Sequence, residues 1–378
     1  MTVARQDFFQ NGDNFRGYIV ERLLGKGGLG AVYLVRHEML DTLFALKVLY
    51  PDVAAQNGSY VKRFLREAKL ATRIRHPNLV AVHDCGYDSV RGLYYLVMDY
   101  VSGGDLRSAL AFAGRFDPAH ATRIIAQVAS VLDAAQAFHV VHRDIKPENI
   151  MIQPDGLVKL VDLGIAKADD IKDSLCTEAE SVFGTPAYVA PEQAVDASDV
   201  DVRADIYSLG VVLFEMIAGK VPYDGPNAPQ ILVQTLSSDP FPDIRDINPD
   251  VSPELAVIIR RMCVKEADRR IATPAALIKE FAKIGYRPKG GAAAAVKFSK
   301  PADSAPTIVS MRSLIGKGAK GASGRAETLT YETQDVEIQD FVSRIKRRKR
   351  LQKAASAALA AFGAVAAILV LAWLFGIL

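Results

Sequence analysis

The stretch VHRDIKPENIMI, residues 141–152, sets His142, Arg143, Asp144, Lys146, Glu148 and Asn149 between two apolar runs. A solvated turn can be equally polar, so its meaning depends on what surrounds it. A hairpin, VKLVDLGIAK, follows at residues 158–167; in it Asp162 interrupts an apolar strand just before Gly164. Asn149 and Asp162 thus offer two hard oxygen ligands a short hairpin apart. That suits Mg2+, which binds a few such oxygens and takes phosphate oxygens for the rest. Either residue alone would be an ordinary turn residue; with Asp144 they form an acid, amide and acid constellation.

Upstream, YIVERLLGKGGLGAVYLVRHEMLDTLFALKVL, residues 18–49, alternates apolar residues at period two on both sides of a glycine cluster, the pattern of a β-hairpin. Gly25, Gly27 and Gly30 spell G-x-G-x-x-G. A dinucleotide fingerprint would need a helix to start at the third glycine, whereas the β-branched and aromatic AVYLV follows. The spacing therefore predicts a strand-turn-strand cover whose backbone N–H groups can approach phosphates. Lys47 lies in the apolar strand FALKVL, where an ammonium needs a partner or a ligand. Glu67 lies in YVKRFLREAKLATRIRHPNLV at the edge of the helical face that carries Phe64, Ala71 and Ile74, so a misplaced anion answers a misplaced cation. YYLVMDYVSGGDL, residues 94–106, reads as a strand that breaks at Gly103 and Gly104 into a helix begun by Asp105.

The chain has 378 residues, half of them apolar and about a quarter charged, enough for a sizeable core in two lobes. Cys85, Cys176 and Cys263 are odd in number and widely spaced, which encodes neither a disulfide framework nor a zinc site and fits a reducing cytoplasm. The net charge of +3 is local: RIKRRKRLQK, residues 344–353, carries seven cations, and removing them leaves −4 for the remainder. A basic domain that coats nucleic acid is therefore not encoded.

Residues 354–378, AASAALAAFGAVAAILVLAWLFGIL, carry no charge and, as a helix rising ~1.5 Å per residue, would cross a hydrocarbon core of ~30 Å. We read them as a single transmembrane helix anchoring the C-terminal end, preceded by a basic juxtamembrane segment at 344–353 and a flexible linker at 285–343 rich in Gly, Ala, Ser, Lys and Pro. Juxtamembrane cations predict that the body, residues 15–284, hangs on the cytoplasmic side of the cell membrane.

Taken together, the ordered motifs resemble those of a eukaryotic-type (Hanks-type) serine/threonine protein kinase. They are the glycine loop ending at Val32, the A-L-K of Lys47, HRDIKPEN, DLG where DFG is usual, and APE at 190–192. DIYSLG at 205–210 and Arg269 in ADRR match two further structural positions, and Gln193 after APE resembles bacterial members. Leu163 for Phe is the one departure, and it leaves Asp162 intact. The resemblance implies an α+β fold of two lobes: a small antiparallel sheet with one main helix, and a larger, mostly helical lobe.

It further implies ATP as substrate with Mg2+ as cofactor, Mn2+ being an alternative. Asp144 would receive or orient the hydroxyl proton and Lys146 would neutralise charge on the transferring phosphoryl; Asn149 and Asp162 would hold the metal; Lys47 with Glu67 would orient the α and β phosphates. Gly25, Lys26, Gly27, Gly28, Gly30, Val32, Ala45 and Lys47 would surround the nucleotide. Asp99 and Val101, next to the gatekeeper Met98, would hydrogen-bond adenine through the backbone, and Asp105 would reach the ribose. Lys146 and Thr185 are similar to the serine/threonine branch, so the implied partners are proteins with Ser/Thr acceptors, with a homodimer for trans-autophosphorylation among them. Thr177 and Ser181 are the regulatory phosphorylation candidates. The competing reading is a membrane-anchored pseudokinase scaffold that binds nucleotide without transfer.

Overall fold

The computed structural model describes residues 7–56, 58–162, 186–196 and 200–286. Thr177 and Ser181, the linker, the basic segment and the apolar C-terminal stretch lie outside them. Apart from Val233–Asp239, every described residue belongs to one compact unit.

Alternating sequence gives the first lobe. Strands β1 (Asn14–Phe15), β2 (Tyr18–Lys26), β3 (Gly30–His37), β4 (Thr42–Leu49), β5 (Val82–Asp88) and β6 (Leu93–Asp99) form an antiparallel sheet in the order β1-β2-β3-β4-β6-β5. One face buries Phe15, Val20, Tyr33, Leu46, Val48 and Tyr95, and the opposite face carries Val32, Leu34, Ala45 and Met98. Helices α1 (Pro51–Gln56) and α2 (Gly58–Ala71) lie between β4 and β5 in sequence. The apolar stripe Phe64, Ala68 and Ala71 of α2 is buried, and Glu67 sits half-exposed beside it. At the glycine turn, a Cβ on Gly30 would stand 1.9 Å from the Val48 carbonyl oxygen, while one on Gly28 would meet nothing within 4 Å. Gly30 is thus required by the close pairing of β3 with β4.

The second lobe opens with β7 (Gly104–Asp105) and α3 (Leu106–Ala113), then α4 (Pro118–Gln136), β8 (Ile150–Ile152) and β9 (Val158–Leu160). It continues through α5 (Pro191–Val195), α6 (Val202–Ala218), α7 (Ala228–Leu236), α8 (Pro253–Met262) and α9 (Pro274–Lys283). Helix starts follow local chemistry: the side chains of Asp117, Ser252 and Thr273 accept the N–H of the residue three positions on, and a proline follows each cap. Gly219 ends α6 in the left-handed conformation at φ 76°. Fifteen of the 17 residues of α6 are buried, so it is the axis of this lobe. At Gly210 the helix passes so close to α8 that a Cβ would lie 2.4 Å from Cys263 Sγ.

One expectation is corrected by the packing of the second lobe. The motif arginine that holds the lobe together is Arg270, not Arg269. The 3-10 turn Ala267–Arg269 leaves Arg269 68% exposed beside Glu266, and Arg270 follows it in extended conformation and turns inward to the Glu192 carboxylate. The expected transmembrane helix at 354–378 lies outside the described residues, none of whose helices is long and apolar enough to cross a membrane.

Candidate active site

The loop that begins at Val141 is held by the central helix α6. Asp205, one turn into α6, accepts the backbone N–H of His142 on Oδ2 at 2.8 Å and that of Arg143 on Oδ1 at 2.7 Å. Arg143 adopts φ 66°, a conformation that a long side chain seldom takes and that these bonds hold in place. Gln193 adds a third tie by donating Nε2 to the Arg143 carbonyl at 3.2 Å. Burial pushes the Asp205 carboxyl up to about 7, against the pull of the two N–H donors.

From that platform the acid, amide and lysine converge. Lys146 Nζ lies 3.1 Å from Asp144 Oδ2, and Asn149 Nδ2 donates to the same oxygen at 3.1 Å and to the Asp144 carbonyl at 2.8 Å. With its amide nitrogen committed to Asp144, Asn149 presents Oδ1 as its acceptor, the atom a cation would use. Burial works against the charge on Lys146, but Asp144, together with Glu148 and Asp162, holds the ammonium above its ordinary range.

Across the site, Lys47 on β4 reaches Asp162 Oδ1 at 2.7 Å, an ion pair that bridges 115 positions of sequence. Burial lowers the pKa of Lys47, yet Asp162 and then Glu67 raise it further, so the ammonium stays charged. The expected Lys47 and Glu67 partnership is therefore electrostatic, and Asp162 is the nearer partner. Asp162 itself sits at φ 55°, a left-handed position that Asp tolerates better than most residues. Glu67 and Asp162 also form the polar end of a pocket otherwise lined by residues such as Leu79, Val80, Leu96 and Met98.

Of the expected nucleotide-side residues, four share one apolar cluster, and Asp99 and Asp105 each have a group already engaged within the protein. Val32, Ala45, Met98 and Val101 are buried in one apolar cluster with Leu24 and with Met151 of β8, so residues of both lobes form the walls against which a planar base would pack. The N–H of Asp99 already donates to the Ala81 carbonyl at 2.9 Å, which leaves the Asp99 carbonyl for adenine. The Asp99 carboxylate is engaged by His83 at 2.7 Å and Lys159 at 3.6 Å. Asp105 is 1% exposed, and its Oδ1 accepts the Ser108 N–H at 2.7 Å as the cap of α3. Gly103 stands at φ 121°, and a Cβ there would meet the Ile152 carbonyl oxygen at 2.2 Å, which explains the break before that cap.

Sequence reasoning did not single out a second cluster beside the loop. Arg107 on α3 bonds Glu148, Glu215 and Tyr188. An arginine on an exposed-looking turn of a helix carries no local signal of such a role.

The residues brought together match known proteins as a set. The profile described as "Protein kinase domain" covers residues 18–282. Serine/threonine-protein kinase PrkC of Bacillus subtilis is 37% identical over 256 residues, 68% of this chain and 38% of that protein. PknB of Mycolicibacterium smegmatis is 37% identical over 71% of this chain and 43% of its own, and pkn3 of Myxococcus xanthus is 39% identical over 67% and 47%. The chain therefore spans less than half the length of these curated relatives. The crystal structure of the PknI kinase domain of Mycobacterium tuberculosis superposes with a TM-score of 0.57 at 30% identity, over 73% of this chain and 98% of that one. On the profile match and these identities, the chain belongs to the protein kinase domain family, with bacterial serine/threonine kinases among its relatives.

Proposed function

We propose that this protein is a serine/threonine protein kinase that transfers the γ-phosphoryl group of ATP to protein hydroxyls and to itself. The observation that carries this reading is the convergence of the Lys47 and Asp162 ion pair, which joins the two lobes, with the Asp144, Lys146 and Asn149 cluster of the second. Phosphoryl transfer needs positioning and charge stabilisation more than covalent help from the protein, and this arrangement supplies both. Asp144 orients the acceptor hydroxyl and receives its proton. Lys146, 3.1 Å from that carboxylate, neutralises charge as the phosphoryl passes. Lys47 holds the remaining phosphates under the glycine turn. Asn149 Oδ1 and the Asp162 carboxylate are hard oxygen donors that fit Mg2+ or Mn2+, and a bound cation would supply further neutralisation of phosphate charge.

The apolar, uncharged run at 354–378 and the seven cations before it support a further part of the proposal. The kinase is held at the inner face of the cell membrane by a single span, with the linker as tether. Full-length protein in detergent, given Mg2+, ATP and a generic basic protein, tests the catalytic reading. Phosphoserine and phosphothreonine are expected on both proteins, and Asp144→Asn should abolish them. Nucleotide binding without transfer in the wild type would favour the scaffold instead. Truncation after Gln352 should move the protein to the soluble fraction, and its persistence in membranes would sink the anchor.

A further inference from the structure

Arg107, the second residue of α3, spends its guanidinium inside the protein. Nε donates to Glu148 Oε1 at 2.9 Å and Nη1 to Glu215 Oε1 at 2.6 Å. Nη2 donates to the Tyr188 hydroxyl, which in turn donates to Glu215 Oε2 at 2.6 Å. The Glu148 and Glu215 side chains are 13% and 8% exposed, and Arg107 is 32% exposed. Glu148 Oε2 is buried with no hydrogen-bond partner among the described residues. Burial disfavours the charge on Arg107, but Tyr188, Glu215 and Glu148 together hold it firmly protonated.

The place of this cluster matters more than its strength. Glu148 is four residues beyond Asp144 on the same loop, at most about 14 Å away along the chain. An extended peptide whose hydroxyl sits at Asp144 advances about 3.3 Å per residue, so a side chain within about four positions of the acceptor reaches this corner. Among the described residues, Arg107 is the cation ion-paired to both carboxylates of this corner, and it is partly exposed. A lysine or arginine from a substrate finds its counter-charges already engaged.

We propose that Arg107 is an internal cation filling an acidic side-chain subsite next to the acceptor, and is thereby a specificity-determining residue that keeps the enzyme from selecting basic substrates there. This rests on the kinase reading above. Removing Arg107 leaves two buried carboxylates without their cation, a state that is costly and that a substrate guanidinium would relieve.

The experiment measures kcat/KM of full-length protein in detergent on peptides with one fixed acceptor and Arg or Ala at each of the four positions on either side. Wild type should distinguish Arg from Ala by less than about threefold at every position, whereas Arg107→Ala should prefer Arg by about tenfold or more at one of them. Ethylguanidinium added to Arg107→Ala should restore the flat profile, and Arg107→Ala with Glu148→Gln should weaken the preference. A wild-type enzyme that already prefers Arg by tenfold overturns the proposal, as does a flat profile in Arg107→Ala. If neither Arg107→Ala nor Arg107→Met folds by circular dichroism, the wild-type profile decides alone: flat supports the internal cation, steeply basic rejects it. Absence of transfer to any peptide by wild type would instead defeat the kinase reading.

Discussion

Two ion pairs in this molecule use the same chemistry to opposite ends. Arg270 and Glu192 meet in two bonds, 2.6 and 2.8 Å, with Arg270 wholly buried and Glu192 10% exposed. The guanidinium also donates to the carbonyls of Val264, Lys265 and Arg203, and stacks 4.9 Å from the Tyr207 ring. Lys47 and Asp162 meet in one bond of 2.7 Å, with 22% and 20% of their side chains accessible. The first pair has every guanidinium nitrogen committed and is part of the architecture. The second remains accessible and joins the two lobes where phosphate is expected. Saturation distinguishes a charge that holds a fold from one that can hold a ligand.

Removing each member in turn should separate the two pairs. Lys47→Met and Asp162→Asn should each lower phosphoryl transfer by about 10³-fold or more, as should Asp144→Asn, with thermal unfolding nearly unmoved. Transfer measured with radiolabelled ATP checks this, and full activity in Asp162→Asn would undo the metal assignment. Arg270→Ala leaves Glu192 buried and unpaired and should cost about 3–5 kcal/mol of stability in urea unfolding. Survival of a fully stable Arg270→Ala would mean that the bidentate pair is not structural.

A subtler contrast lies in Asp205, whose carboxyl is raised to about 7 by burial. The folded protein binds that proton more tightly than the unfolded chain, so the stabilisation is complete below the unfolded value of 3.8 and is lost as pH rises through about 7. The advantage in stability of wild type over Asp205→Asn should therefore shrink by about 2–3 kcal/mol from pH 5 to pH 8. Denaturant titrations at the two pH values measure it, and an advantage that grows with pH would reverse the assignment. Smallest of all, Arg269→Ala should change stability by about 0.5 kcal/mol or less, since the residue is largely exposed.

What could be read from the sequence was what repeats locally or breaks a local pattern. The glycine turn between two alternating strands, the lysine inside FALKVL and the acid inside VKLVDLG each stand out against their neighbours, and all lie where the site needs them. Adjacent arginines offered no such contrast: Arg269 and Arg270 differ only in which side of a 3-10 turn they leave, and that is fixed by packing against Glu192 and Tyr207. The engaged N–H of Asp99 depends on Ala81, which arrives from another strand's approach, and the Arg107 cluster joins residues 41, 81 and 108 positions apart. Such long-range closure has no periodicity to betray it.

The buried helix α6 carries both Asp205, which grips the catalytic loop, and Glu215, which grips Tyr188 and Arg107. Ten residues separate them, about 15 Å along the helix axis. In the language of hydrogen exchange, the amides of α6 should be among the last to open, because nearly all of its residues are buried. The loop that carries Asp144 and the corner beside it are thus both referenced to the slowest-breathing part of the molecule. The two grips therefore keep their spacing for as long as this helix stays closed.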